Sequence, residues 1–139
     1  MRLSLAILSI IFSLLISGCA SDTFRNIGLD KVAPRKAEQD LSTGIRLYED
    51  SNYKTAAVHL QKALDEGLTF KNDQVAAHKY MGFIHCASGR EKQCRDEFKK
   101  AVGLDPKFEL TAAEAGHPIW GPVFRSVKSE MQVKTKPSK

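Results

Sequence analysis

Five positions of the chain recur at a fixed interval of 38 residues: Gly44, Ala56, Leu60, Ala63 and Leu64 return as Gly82, Cys94, Phe98, Ala101 and Val102. Self-similarity at a period between about 20 and 50 residues marks a chain built by stacking one supersecondary unit. The unit can be read from its apolar spacing. In "AEQDLSTGIRLYEDSN" Leu41, Ile45, Leu47 and Tyr48 fall at helix-face intervals, and in "YKTAAVHLQKALDEG" Ala56, Leu60, Ala63 and Leu64 do so before Gly67 as a stop. The connector Asp50-Ser51-Asn52 is short enough to require an antiparallel helix pair. The second copy reads "QVAAHKYMGFIHCASG", ending at Gly89, then "REKQCRDEFKKAVGLDP", ending before Pro106. No segment shows the strict alternation of a strand, so the spacing predicts an all-α domain.

The two copies resemble the tetratricopeptide (TPR) repeat: "SNYKTAAVHLQKAL" and "MGFIHCASGREKQCRDEFKKAVGLDP" carry its small residue in the first helix, its turn, its Ala and Ala-Leu positions and its closing Pro. The resemblance covers residues 37–107. Departures are visible. The period exceeds the usual 34, with the additional residues expected in the loop "GLTFKND"; Asp40 and His78 stand where tryptophan is usual, His85 replaces a common tyrosine, and Cys94 replaces the most characteristic alanine. The resemblance implies two helical hairpins whose first helices line a concave groove that grips a peptide or a partner's helix. Carried over by position, that groove presents Leu41, Ile45 and Tyr48 from the first repeat and Lys79 and Phe83 from the second. The competing reading places Leu41, Ile45 and Phe83 simply in the core.

Two repeats leave apolar faces open at their ends, and repeat arrays require caps. Residues 108–131 are expected to supply one. Thr111 and Glu114 form a capping-box pattern closed by Gly116; a further helix follows with Pro118 or Pro122 as a first-turn residue and Val123, Phe124, Val127 and Met131 on one stripe. Trp120, the single tryptophan, lies between these prolines and is expected either to plug the core or to act as an aromatic anchor for a partner. Residues 132–139 read as a polar, flexible tail.

The N-terminus sets the compartment. Met1-Arg2, the apolar run "LSLAILSIIFSLLIS" and the exit Gly18-Cys19-Ala20 make a secretory signal peptide, 1–18, too short for a membrane-spanning helix. Ile16-Ser17-Gly18-Cys19 resembles the bacterial lipobox, which implies cleavage before Cys19 and acylation of that cysteine; the alternative is an ordinary signal peptide with an incidental cysteine. Several acyl chains anchor a protein stably where one does not. The resemblance implies a lipid-anchored protein, and Ala20, where an aspartate would signal inner-membrane retention, places it in the outer membrane facing the periplasm. Residues 19–36 form the lipidated N-terminus and a tether. The basic surplus, +5 over the whole chain and enriched by Lys128, Lys134, Lys136 and Lys139, reads as solvation and weak attraction to anionic envelope polymers rather than nucleic-acid binding.

With Cys19 lipidated, Cys86 and Cys94 remain, in an oxidising space where disulfides persist. They flank the turn at Gly89, near the mouth of the second hairpin, where facing helices can approach disulfide distance, and a staple is the expectation. A metal site is the weaker reading. His78 and His85 lie two turns apart on one helix, His85 and Cys86 diverge, and no Cys-x-x-Cys spacing occurs. No catalytic motif is present and the acidic residues look scattered over exposed helix faces, so the expectation is a non-enzymatic protein without cofactor beyond the lipid on Cys19. The function expected is an adaptor binding a protein partner in assembly of an envelope machine, a secretion system or pilus. The alternatives are a structural tether to peptidoglycan and, more weakly, a metal-handling lipoprotein.

Overall fold

The computed structural model describes residues 35–135. The expected signal peptide, Cys19, the expected tether up to residue 34 and residues 136–139 lie outside the described residues. Six helices follow in order: α1 Lys36–Glu49, α2 Tyr53–Glu66, α3 Lys71–Ala87, α4 Glu91–Leu104, α5 Ala112–Ala115 and α6 Trp120–Thr135. No strand occurs among the described residues. The helices α1 and α2 pack as one antiparallel hairpin, α3 and α4 as a second, and α6 lies against α4 and α3 at the far end. The all-helical architecture expected from the spacing is the architecture observed.

The repeat is exact at its turns. Ser51 and Gly89 are equivalent positions 38 residues apart, and both adopt the left-handed region, with φ of 62° and 70°. Asn52 N–H bonds the Leu47 carbonyl at 2.8 Å and Ser51 N–H that of Tyr48 at 2.9 Å; Arg90 to His85 (2.9 Å) and Gly89 to Cys86 (3.0 Å) repeat the pattern. This is the Schellman ending, which satisfies the last carbonyls of a helix and reverses the chain.

Inside each hairpin the two helices meet at a glycine. A Cβ at Gly44 would stand 2.8 Å from Leu60 Cγ, and one at Gly82 would stand 2.8 Å from Phe98 Cε1. A bulky residue on the second helix therefore fills the space a side chain on the first would occupy. Around these contacts run two core clusters. One comprises Ala37, Leu41, Ala56, Leu60, Ala63, Leu68, Ala77, Met81 and Ile84. The other holds Phe83, Cys86, Cys94, Phe98, Val102, Leu110, Phe124 and Val127. Phe124 and Val127 bring the apolar face of α6 into the second cluster, with Val123 and Met131 at its margin. Trp120 packs there too, its ring centroid 4.6 Å from that of Phe83.

Two expectations are corrected here and one is made definite. The extra residues of the longer period do not lengthen the inter-repeat loop. They extend α3, which begins at Lys71 and has 17 residues against 14 in α1, because Asp73 and Gln74 already bond the Phe70 carbonyl. Of the two prolines expected in the first turn of the last helix, Pro122 is the one there: α6 starts at Trp120, and in that turn the missing N–H costs nothing. Lys128 is not part of a free basic surface. It is buried, donating to the Phe108 carbonyl at 2.6 Å and pairing with Glu109, and so pins the segment before α5 onto α6.

Candidate functional site

Where α1 meets α3, the position expected for a groove, the structure has a cluster of aromatic rings, Tyr48, Tyr80 and Phe83. Leu41 and Phe83 belong to the core and offer no surface to a partner; Phe83 is 1 % exposed. The reason is the short separation of the helices at Gly44 and Gly82, which draws α1 and α3 down onto their partners. Ile45, Tyr48 and Lys79 are half-buried, at the rim. Sequence reasoning missed Tyr80 and Tyr53. Tyr48 stands 5.0 Å from Tyr80 and 5.4 Å from Tyr53 between ring centroids, and Tyr80 stands 5.9 Å from Phe83. Tyr53 is 42 % exposed and continues the surface onto α2. Burial pushes the Tyr48 hydroxyl up to about 12, assisted by Tyr53, Tyr80 and Glu114, so it remains a neutral hydrogen-bonding group at any physiological pH.

The second-repeat side of this surface is covered by the chain itself. The Lys79 ammonium lies 4.5 Å from the Tyr80 ring centroid and 5.6 Å from that of Phe83, and it donates to Glu114 Oε1 at 2.6 Å. Glu114 sits on α5, whose start is fixed by a reciprocal capping box with Thr111. Burial alone would raise the Glu114 carboxyl, but Lys79 and Thr111 outweigh it and hold the group below the ordinary carboxylate range. His117 stacks on Trp120 at 3.2 Å between centroids, and Trp120 covers Phe83. Of the two expectations for Trp120, packing at the end of the core is the arrangement seen. Its indole N–H is buried without a hydrogen-bond partner.

A second feature went unrecognised because its acids looked like exposed helix residues. Asp40 on α1 accepts from His59 on α2 at 2.7 Å and pairs with Lys62 at 2.9 Å. Glu97 on α4 bonds His78 on α3 at 2.6 Å and Lys100 at 2.7 Å. Asp40, His59 and Lys62 are equivalent by the 38-residue register to His78, Glu97 and Lys100. The acid and the histidine have exchanged helices between repeats, while the lysine keeps its place. Hydrogen bonds from Lys62 and His59 lower the Asp40 carboxyl; burial would raise Glu97, but His78 and Lys100 outweigh it and lower it. These clusters close the seam of each hairpin where the resemblance leads one to expect a tryptophan.

Cys86 and Cys94 form a disulfide, with Cα atoms 5.0 Å apart, between α3 and α4. Both are buried in the second core cluster, in a setting suited to reinforcement. Among the described residues no group of three His, Cys, Asp or Glu side chains is placed to hold one metal ion, and no helix is long and apolar enough to cross a membrane. No protein-family model matches the chain, and neither a curated protein nor a solved structure does.

Proposed function

We propose that this chain is a lipid-anchored, periplasm-facing TPR-type adaptor that binds a protein partner without catalysing a reaction. The observation that carries this reading is the aromatic surface of Tyr48 on α1 and Tyr80 on α3, both half-buried, continued onto α2 by the exposed Tyr53 and edged by Lys79. Tyrosines expose apolar area while keeping a polar tip, which suits recognition of a peptide or helix. The lipobox-like Ile16-Ser17-Gly18-Cys19 supports anchoring, with acylation at Cys19 holding the domain at the outer membrane. The partner proposed is a component of an envelope machine, a secretion system or pilus, whose assembly the adaptor serves.

The peptidoglycan tether loses one of its supports, because Lys128 is engaged internally. Sedimentation of the mature protein with purified cell-wall sacculi and co-isolation from envelope extract separate the two readings. A protein partner retained in high salt and lost in Tyr48→Ala supports the adaptor. Salt-sensitive sedimentation with sacculi, unaffected by Tyr48→Ala, contradicts it.

A further inference from the structure

We infer that residues 111–120 act as an internal ligand of the aromatic groove, and that the partner it gives way to carries a carboxylate and, about six residues later, an aromatic side chain. This rests on the groove reading above and names the chemistry of its occupant.

The contacts made by this segment are those a bound peptide would make. Glu114 reaches Lys79 at the groove rim, which in turn lies over the rings of Tyr80 and Phe83. Six residues on, Trp120 lays its ring on Phe83. An acid on a cation that is itself held by aromatic rings, followed by an aromatic on an aromatic floor, is a recognition pattern with a charge and a shape term.

The segment is also held loosely enough to exchange. No residue of α5 is buried. Its remaining ties are few: Ala115 lies partly buried against the second core cluster, Arg125 donates to the Ala115 carbonyl at 2.9 Å, and the backbone of α5 approaches Gly121 so closely that a Cβ there would collide with the Ala115 oxygen. The indole N–H of Trp120, buried without an acceptor, is a group that a different occupant or a different placement of the segment can satisfy. By contrast α6 beyond Trp120 is fixed, because Phe124 and Val127 are core residues. The division between exchangeable segment and fixed helix therefore falls at Trp120 and Gly121.

Gly121→Ala forces α5 away from α6 without altering any groove side chain, and Glu114→Gln weakens the contact with Lys79 while leaving α5 in sequence otherwise intact. The probe is a labelled synthetic peptide of residues 110 to 121, titrated into the intact mature protein and followed by anisotropy. If the closed segment leaves about a tenth of molecules open, freeing it tightens apparent affinity by about tenfold. The expected result is that tightening in Gly121→Ala and in Glu114→Gln, with a red shift of the emission of Trp120, and its loss when Lys79→Gln is added. Peptide binding that depends on Lys79 but is equal in wild type and both open variants overturns the internal ligand and leaves the groove standing. Absence of peptide binding in every variant overturns both. Glu114→Gln keeps the test available should Gly121→Ala not fold, since no residue of α5 is fully buried and the change keeps the side chain's size.

Discussion

His78 and Glu97 join α3 to α4 through a 2.6 Å hydrogen bond, and the same two register positions in the first hairpin, Asp40 and His59, make a 2.7 Å bond with the acid and base exchanged. The fold thus preserves a charge-assisted contact across each seam while allowing its polarity to reverse. A lysine three residues after the α2 or α4 member completes both clusters.

Acid should weaken this seam. Both carboxyls are lowered in the folded protein from ordinary values of 3.8 for Asp40 and 4.5 for Glu97. Their contribution is complete above those values and is lost as pH falls through the lower folded-state values. Thermal melts are expected to show stability declining below about pH 4.5, and Glu97→Gln to flatten part of that decline. At neutral pH His78→Ala is expected to destabilise by about 1–3 kcal/mol, because Glu97 loses one of its two partners in a largely buried site.

The two glycines at the helix crossings are expected to respond differently from a third. Gly82→Ala puts a methyl against the buried ring of Phe98 and should cost about 1–3 kcal/mol by overpacking. Gly103→Ala, in α4 but with only Met131 at 3.9 Å, should be neutral or stabilising by up to about 1 kcal/mol. Urea melts of the two variants give the comparison; equal effects would contradict the close-approach account.

At the turns, Ser51→Gly relieves a left-handed serine that the second repeat avoids with Gly89. The αL penalty for a side chain exceeds the entropy cost of glycine, so a gain of about 0.5–1 kcal/mol is expected in the same denaturation experiment. Gly89→Ser should lose a similar amount.

The disulfide closes a sequence separation of 8 residues, for which chain entropy predicts about 2.5 kcal/mol. Cys86→Ser/Cys94→Ser should melt on the order of 10 °C lower, and alkylation of the oxidised protein without reductant should leave both residues unmodified.

Much of this was legible beforehand, for reasons that can be assigned to particular residues. The 38-residue register of Gly44/Leu60 and Gly82/Phe98 exposed the hairpins, because a glycine opposite a large residue is a packing requirement that leaves its mark in sequence. The Thr111–Glu114 box was equally local and equally visible. What escaped notice depended on placement across helices. Asp40 and Glu97 looked like surface acids because nothing local reveals that His59 and His78 face them; the register did align Asp40 with His78, and extending it to His59 and Glu97 would have disclosed the exchange. For Leu41 and Phe83 the sequence leaves groove and core as competing readings, and the core reading holds, because burial depends on how far the helices sink at the glycine crossings. The covering of Lys79 by Glu114, 35 residues away, belongs to tertiary structure alone.

The measurement bearing most directly on the adaptor reading is site-specific photo-cross-linking in living cells, with a photoreactive phenylalanine analogue placed at Tyr48 in the groove or at Val58, which is 61 % exposed on α2. The predicted result is one discrete protein adduct from Tyr48 that is absent from Val58 and is lost when Tyr80→Ala is added. No adduct at Tyr48, or the same adducts from both positions, would contradict it.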